Sequence, residues 1–96
     1  AGQIGTDGGE TLREQAKRAL DKIEELLVQA GSSKSDLVKV TVLLIDMKDF
    51  SDFNEIYGKW LEGTVLPARA AFAVRELPGQ AKVEVVAEAV LGSGGI

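Results

Sequence analysis

From Leu12 to Ala30 apolar residues recur at helical spacing: Leu12, Ala16, Ala19, Leu20, Ile23, Leu26, Leu27 and Ala30 form one stripe. Arg13, Lys17, Asp21, Glu24 and Glu25 occupy the other side, a solvated surface. The spacing predicts an amphipathic helix. Thr11-Leu12-Arg13-Glu14 marks its start as a capping box, in which the threonine and Glu14 satisfy one another's free backbone donors. Gly31 ends it by taking the left-handed conformation. The period then changes. Leu37-Val38-Lys39-Val40-Thr41-Val42-Leu43-Leu44-Ile45 is β-branched and almost wholly apolar, which predicts a strand that needs cover on both faces. Asp46 to Asp49 turn the chain into a second helix over Ser51 to about Glu62, closed by Gly63. Phe50, Phe53, Ile56, Tyr57, Trp60 and Leu61 fall near one face of it, as core residues do.

The remaining segments read as strands. Ala1-Gly2-Gln3-Ile4-Gly5 looks like the tail of a strand running into the turn Thr6-Asp7-Gly8-Gly9. Pro67 to Pro78 and Lys82 to Val90 read as two short strands joined by a Pro/Gly turn. In the first, Arg69, Ala71, Ala73 and Arg75 share a face opposite Ala70, Phe72 and Val74. In the second, Glu84, Val86 and Glu88 oppose Val83, Val85, Ala87 and Ala89. If the two polar faces coincide, arginines and glutamates meet on one side of the sheet. The predicted order is strand, helix, strand, helix, strand, strand, an α+β domain over residues 1–91 with a flexible tail at 92–96. No internal repeat is visible.

Composition narrows the function classes. The 96 residues suit one domain, and the formal net charge is −4 with 11 basic residues scattered along the chain. Nucleic-acid binding needs a basic patch to release counterions, so that class is disfavoured. The absence of histidine and cysteine removes Ser-His triads, thiolate chemistry and the usual zinc sites. With no run of about 18 apolar residues and no basic-then-apolar leader, the expectation is a soluble, cytoplasmic protein without membrane attachment. Two helices cover only one face of the apolar strand. Other subunits are the expected cover for the second, a physical argument for oligomerisation.

Arg69 is the residue with distinctive chemistry. It follows Pro67-Ala68, which holds the backbone extended, and small neighbours leave its side chain room. Its planar fork of donors suits a carboxylate, gripped through two parallel hydrogen bonds. The alternative is an arginine that caps a strand end in a surface or subunit ion pair. Asn54, between Phe53 and Ile56, needs partners if buried, and is otherwise a surface residue or one bonded to a nearby loop.

Taken together, Ala1-Gly2-Gln3-Ile4, Asp49-Phe50 with Asn54 and Tyr57, Pro67-Ala68-Arg69, Leu77-Pro78 and Lys82-Val83-Glu84-Val85 resemble the RidA/YjgF family of reactive intermediate deaminases, in unbroken order from residue 1 to about residue 90. The resemblance implies a Bacillus chorismate mutase-like domain with a mixed sheet and two helices on one face. It further implies a homotrimer with a ligand cleft at each subunit interface. The implied reaction is hydrolysis of 2-imino acids to 2-keto acids and ammonia, with no metal or organic cofactor. By the same resemblance Arg69 holds the substrate carboxylate, Glu84 positions or activates the attacking water, and backbone groups near Gly2 and Ala71 line the cleft.

The chain departs from the family pattern in two places. The family's N-terminal segment before the position of Ala1, which supplies two further strands and a cleft tyrosine, is absent from this sequence, and the position that is often cysteine is Ala71. Three readings therefore stand at this level: an imine deaminase, a non-catalytic trimer that binds small carboxylates, and a ribonuclease suggested by older descriptions of relatives. The acidic balance and absent histidine argue against the last. Glu84, for its part, either serves the site or pairs with Arg69 or Arg75 across an interface.

Overall fold

The computed structural model describes residues 2–90; Ala1, Leu91 and the tail expected over 92–96 lie outside the described residues. The elements are β1 (Gly2–Ile4), α1 (Leu12–Gln29), β2 (Leu37–Leu44), α2 (Phe50–Trp60), β3 (Ala68–Ala73) and β4 (Val83–Ala89), in the predicted order. The helix ends follow the local signals. Thr11 Oγ1 accepts from the Glu14 amide at 3.1 Å, and Glu14 Oε1 accepts from the Thr11 amide at 3.1 Å. At the other end Gly31 has φ of 75°, the Ser32 amide donates to the Leu27 carbonyl at 2.7 Å, and the Gly31 amide donates to Val28 at 3.0 Å. That is the paired-bond termination only a left-handed residue permits.

The strands form one sheet in the order β1-β4-β2-β3. β2 runs antiparallel to β4 and parallel to β3, and β1 is antiparallel to β4. The β3 and β4 segments, although consecutive in the chain, are therefore not paired with each other; β2 lies between them. The turn carries the chain across β2 through Gly79 and Gln80, at φ of 64° and 56°. The parallel β2–β3 pair needs a crossover, and α2 is that crossover.

Val40, Val42 and Leu44 of β2 and Val83 and Val85 of β4 are fully buried beneath the helices. Ala16, Ala19, Leu20 and Ile23 of α1, with Phe53 of α2 and the adjoining Leu61, complete that core. Each large side chain so buried contributes about 1.5–3 kcal/mol relative to exposure. No helix among the described residues covers the opposite face of the sheet, and Phe72 there is 56% exposed. A bulge at Val38, opposite the step from Ala89 to Glu88, turns that valine out of the ladder and leaves it exposed.

Gln15 is the buried polar residue that the apolar stripe does not reveal. Its Oε1 accepts from the Lys82 amide at 2.9 Å, and its Nε2 donates to the Gly9 carbonyl at 3.2 Å. It thus ties the start of β4 to the turn before α1. Gly5 lies against the same helix, where an added Cβ would stand 2.0 Å from the Gln15 carbonyl oxygen and 2.7 Å from the Ala19 nitrogen. Both atoms are backbone and cannot move aside. Gly5→Ala is expected to destabilise by about 3 kcal/mol or more, the upper range for forced overpacking, as read by urea unfolding.

Asp7 pins the preceding turn to α1 through Lys22 Nζ at 2.7 Å and Arg18 Nε at 3.1 Å. Hydrogen bonds from Lys22 and then Arg18 hold its carboxyl at about 2, below the ordinary 3.8. Because the folded value is the lower one, the stabilisation is present above pH 4 and lost as pH falls toward 2. Thermal melts across that window should show a shallower acid loss in Asp7→Asn than in the parent chain.

Candidate functional site

Arg69 enters β3 opposite Val40 of β2, and Ala71 and Ala73 stand opposite Val42 and Leu44. Cross-strand partners share a face. Arg69 and Ala71 therefore lie on the helix-covered side, at the outer strand of the sheet. Here α2 meets Arg69 with a single stripe, Phe50, Asn54 and Tyr57, spaced i, i+4 and i+7. The Arg69 Nη1 donates to Asn54 Oδ1. The guanidinium carbon lies 5.2 Å from the Phe50 ring centroid and 5.2 Å from that of Tyr57. Nε and Nη2 have no partner among the described residues, so one two-donor edge of the fork is open. Arg69 is exposed.

Tyr57 is largely buried and stacks on Phe53 at 5.6 Å between centroids. Its hydroxyl is buried and has no hydrogen-bond partner among the described residues. Burial raises the phenol above its ordinary value, with the nearby Arg69 charge pulling weakly the other way. The ring therefore acts as a neutral surface at any physiological pH, not as a proton carrier.

Glu84 stands on the other side. It is opposite Leu43 of β2 and Ile4 of β1, while its neighbours Val83 and Val85 are the ones buried under the helices. Its carboxylate lies over Gly2: a Cβ there would be 2.5 Å from Glu84 Oε2. Gly2 and Glu84 thus form one pair on the uncovered face, and Arg69 and Ala71 form another on the helix face. The four candidate residues do not converge within one chain. The polar faces of the last two strands do not coincide, because β2 pairs with both and its register assigns Arg69 and Glu84 opposite parity. Arg75 also drops out of the row, since β3 ends at Ala73. Among the described residues, no group of three or more His, Cys, Asp or Glu is placed to hold a metal ion. Among the same residues, no helix is long and apolar enough to cross a membrane.

Comparison with known proteins agrees with this architecture. The family model described as Endoribonuclease L-PSP matches residues 1–91. The mouse protein named 2-iminobutanoate/2-iminopropanoate deaminase is 45% identical over 100 residues, covering 96% of this chain and 72% of its own. Among solved structures, an L-PSP protein from Entamoeba histolytica is 43% identical, with a TM-score of 0.89 over 95% of this chain and 77% of its own. E. coli TdcF, solved with bound serine, is 33% identical with a TM-score of 0.87, over 94% and 76%. The chain belongs to the endoribonuclease L-PSP family. This is the RidA/YjgF family, and the fold is its α+β, chorismate mutase-like domain.

The Gly2–Glu84 contact can be tested directly. In Gly2→Ala the new methyl meets the far end of a flexible side chain, so the carboxylate moves and the fold does not. The expected result is a melting temperature close to the parent's together with a displaced 13C resonance for the Glu84 carboxyl carbon.

Proposed function

We propose that this chain hydrolyses 2-imino acids to 2-keto acids and ammonia, in a homotrimer whose interface joins the Arg69 edge of one protomer to the Glu84 face of its neighbour. The observation that carries the reading is the Nε/Nη2 edge of Arg69, which has no partner among the described residues while Nη1 is bonded to Asn54 and the rings of Phe50 and Tyr57 lie against the guanidinium. The names of the relatives support the reaction class, and the serine bound to TdcF supports a small ligand bearing a carboxylate. In the proposed reaction the carboxylate binds the fork. Water oxygen attacks the imine carbon as the C=N π pair moves to nitrogen, and Glu84 takes the water proton and delivers it to that nitrogen, giving a carbinolamine. The hydroxyl proton then passes by way of Glu84 to nitrogen as the C–N bond breaks, leaving the keto acid and ammonia. An imine is already reactive, so orientation and one proton-handling group suffice.

A second reading rests on the opposite placement of Arg69 and Glu84. A lone chain holds a carboxylate grip on one face and its candidate base on the other, which suits a binder without turnover. Keto-acid binding with no acceleration of imine decay would select it.

The reading is tested by generating 2-iminobutanoate enzymatically in the presence of a trap and measuring its decay with added protein. Arg69→Ala is expected to lose at least one to two decades of rate constant, from a charged hydrogen bond of about 1.5–3 kcal/mol. Arg69→Lys is expected to fall close behind, because a point charge does not reproduce the fork. Unchanged hydrolysis in Arg69→Ala would remove Arg69 from the mechanism.

A further inference from the structure

An arginine side chain has four rotatable bonds, and an exposed one samples many positions. Arg69 is exposed, yet three side chains of a single α2 stripe meet it: Asn54 accepts from Nη1, and the rings of Phe50 and Tyr57 each lie 5.2 Å from the guanidinium carbon. The two rings supply attraction to the cation without consuming any of its N–H donors. An acidic partner in their place would neutralise the charge and occupy the edge that a carboxylate needs. The Tyr57 ring is itself fixed, being 7% exposed and stacked on the fully buried Phe53. Phe50 is half-buried against the same core.

We infer that Phe50 and Tyr57 are positioning residues for Arg69: their rings hold the guanidinium so that its Nε/Nη2 edge faces outward, ready for a ligand carboxylate. This deepens the function proposed above and rests on Arg69 being the carboxylate grip. The role belongs to the rings and not to the Tyr57 hydroxyl, which is buried and has no hydrogen-bond partner among the described residues. Sequence alone reads both aromatics as core, and the geometry gives them a second duty at the edge of that core.

The test uses the full chain and 2-oxobutanoate as the probe, with affinity measured by calorimetry and the Arg69 Nε–H resonance followed by NMR. Removing one ring, as Phe50→Leu or Tyr57→Leu, should weaken binding about two- to fivefold, the range of one cation–π contact, and move the Nε–H signal toward that of a free arginine. Restoring a ring as Tyr57→Phe or Phe50→Tyr should recover both readouts. If Tyr57→Leu fails to fold, the less buried Phe50→Leu and Phe50→Tyr pair carries the test. Leucine variants that bind like the parent, in a protein whose Arg69→Ala variant has lost binding, would overturn the positioning role alone. Binding that survives Arg69→Ala would overturn the carboxylate grip and the positioning role with it. Weakening in the leucine variants that an aromatic replacement does not rescue would also overturn the inference, since ordinary loss of packing explains it.

Discussion

A strand that is apolar along its length is stable in water only where its edges and faces are occupied, and β2 meets this demand unevenly. Both edges are paired, by β3 and β4, and one face is sealed by α1 and α2 over Val40, Val42 and Leu44. On the other face Thr41 and Leu43 are only partly covered and Phe72 is largely exposed. Because β2 is central to the sheet, it also dictates which way each neighbouring strand turns its side chains. The placement of every candidate functional residue follows from that dictation.

The consequence is a separation of the candidate residues across the thickness of the sheet. Arg69, Ala71 and the α2 stripe occupy one side, at the β3 edge. Gly2 and Glu84 occupy the other, toward the β1 edge. In the proposed function, a carboxylate grip and a candidate base on opposite faces give the uncovered face a purpose beyond shielding apolar surface. In the proposed assembly, the contact that buries Phe72 is also the contact that completes a site.

Much of the fold was legible because its signals are local. The Thr11–Glu14 box, the Gly31 stop and the change from helical to strand period at Leu37 each depend on residues a few positions apart, and the structure uses all three. What was not legible depends on long-range pairing. Alternation along β3 separates Arg69 from Phe72, and alternation along β4 separates Glu84 from Val85, but neither pattern says which face of one strand joins which face of the other. Alanines on both faces of β3 leave that choice unmarked, and the register with β2 makes it. Gln15 was hidden for a similar reason, since its partners at Gly9 and Lys82 are joined only by the fold. Asn54 had a faint signal in its spacing from Phe50 and Tyr57, which together mark a polar break in an aromatic stripe.

The crossover that brings β3 alongside β2 has a consequence for how the protein can change over evolutionary time. The guanidinium and everything that steadies it come from one continuous stretch, residues 37–73, whereas Gly2 and Glu84 lie on the two terminal strands, which pair with each other. In the proposed function, ligand recognition and proton handling thus fall on separate stretches of the chain linked through a shared central strand. On that reading, a change of carboxylate recognition is sought between residues 37 and 73, and a change of proton chemistry on the strands that carry Gly2 and Glu84.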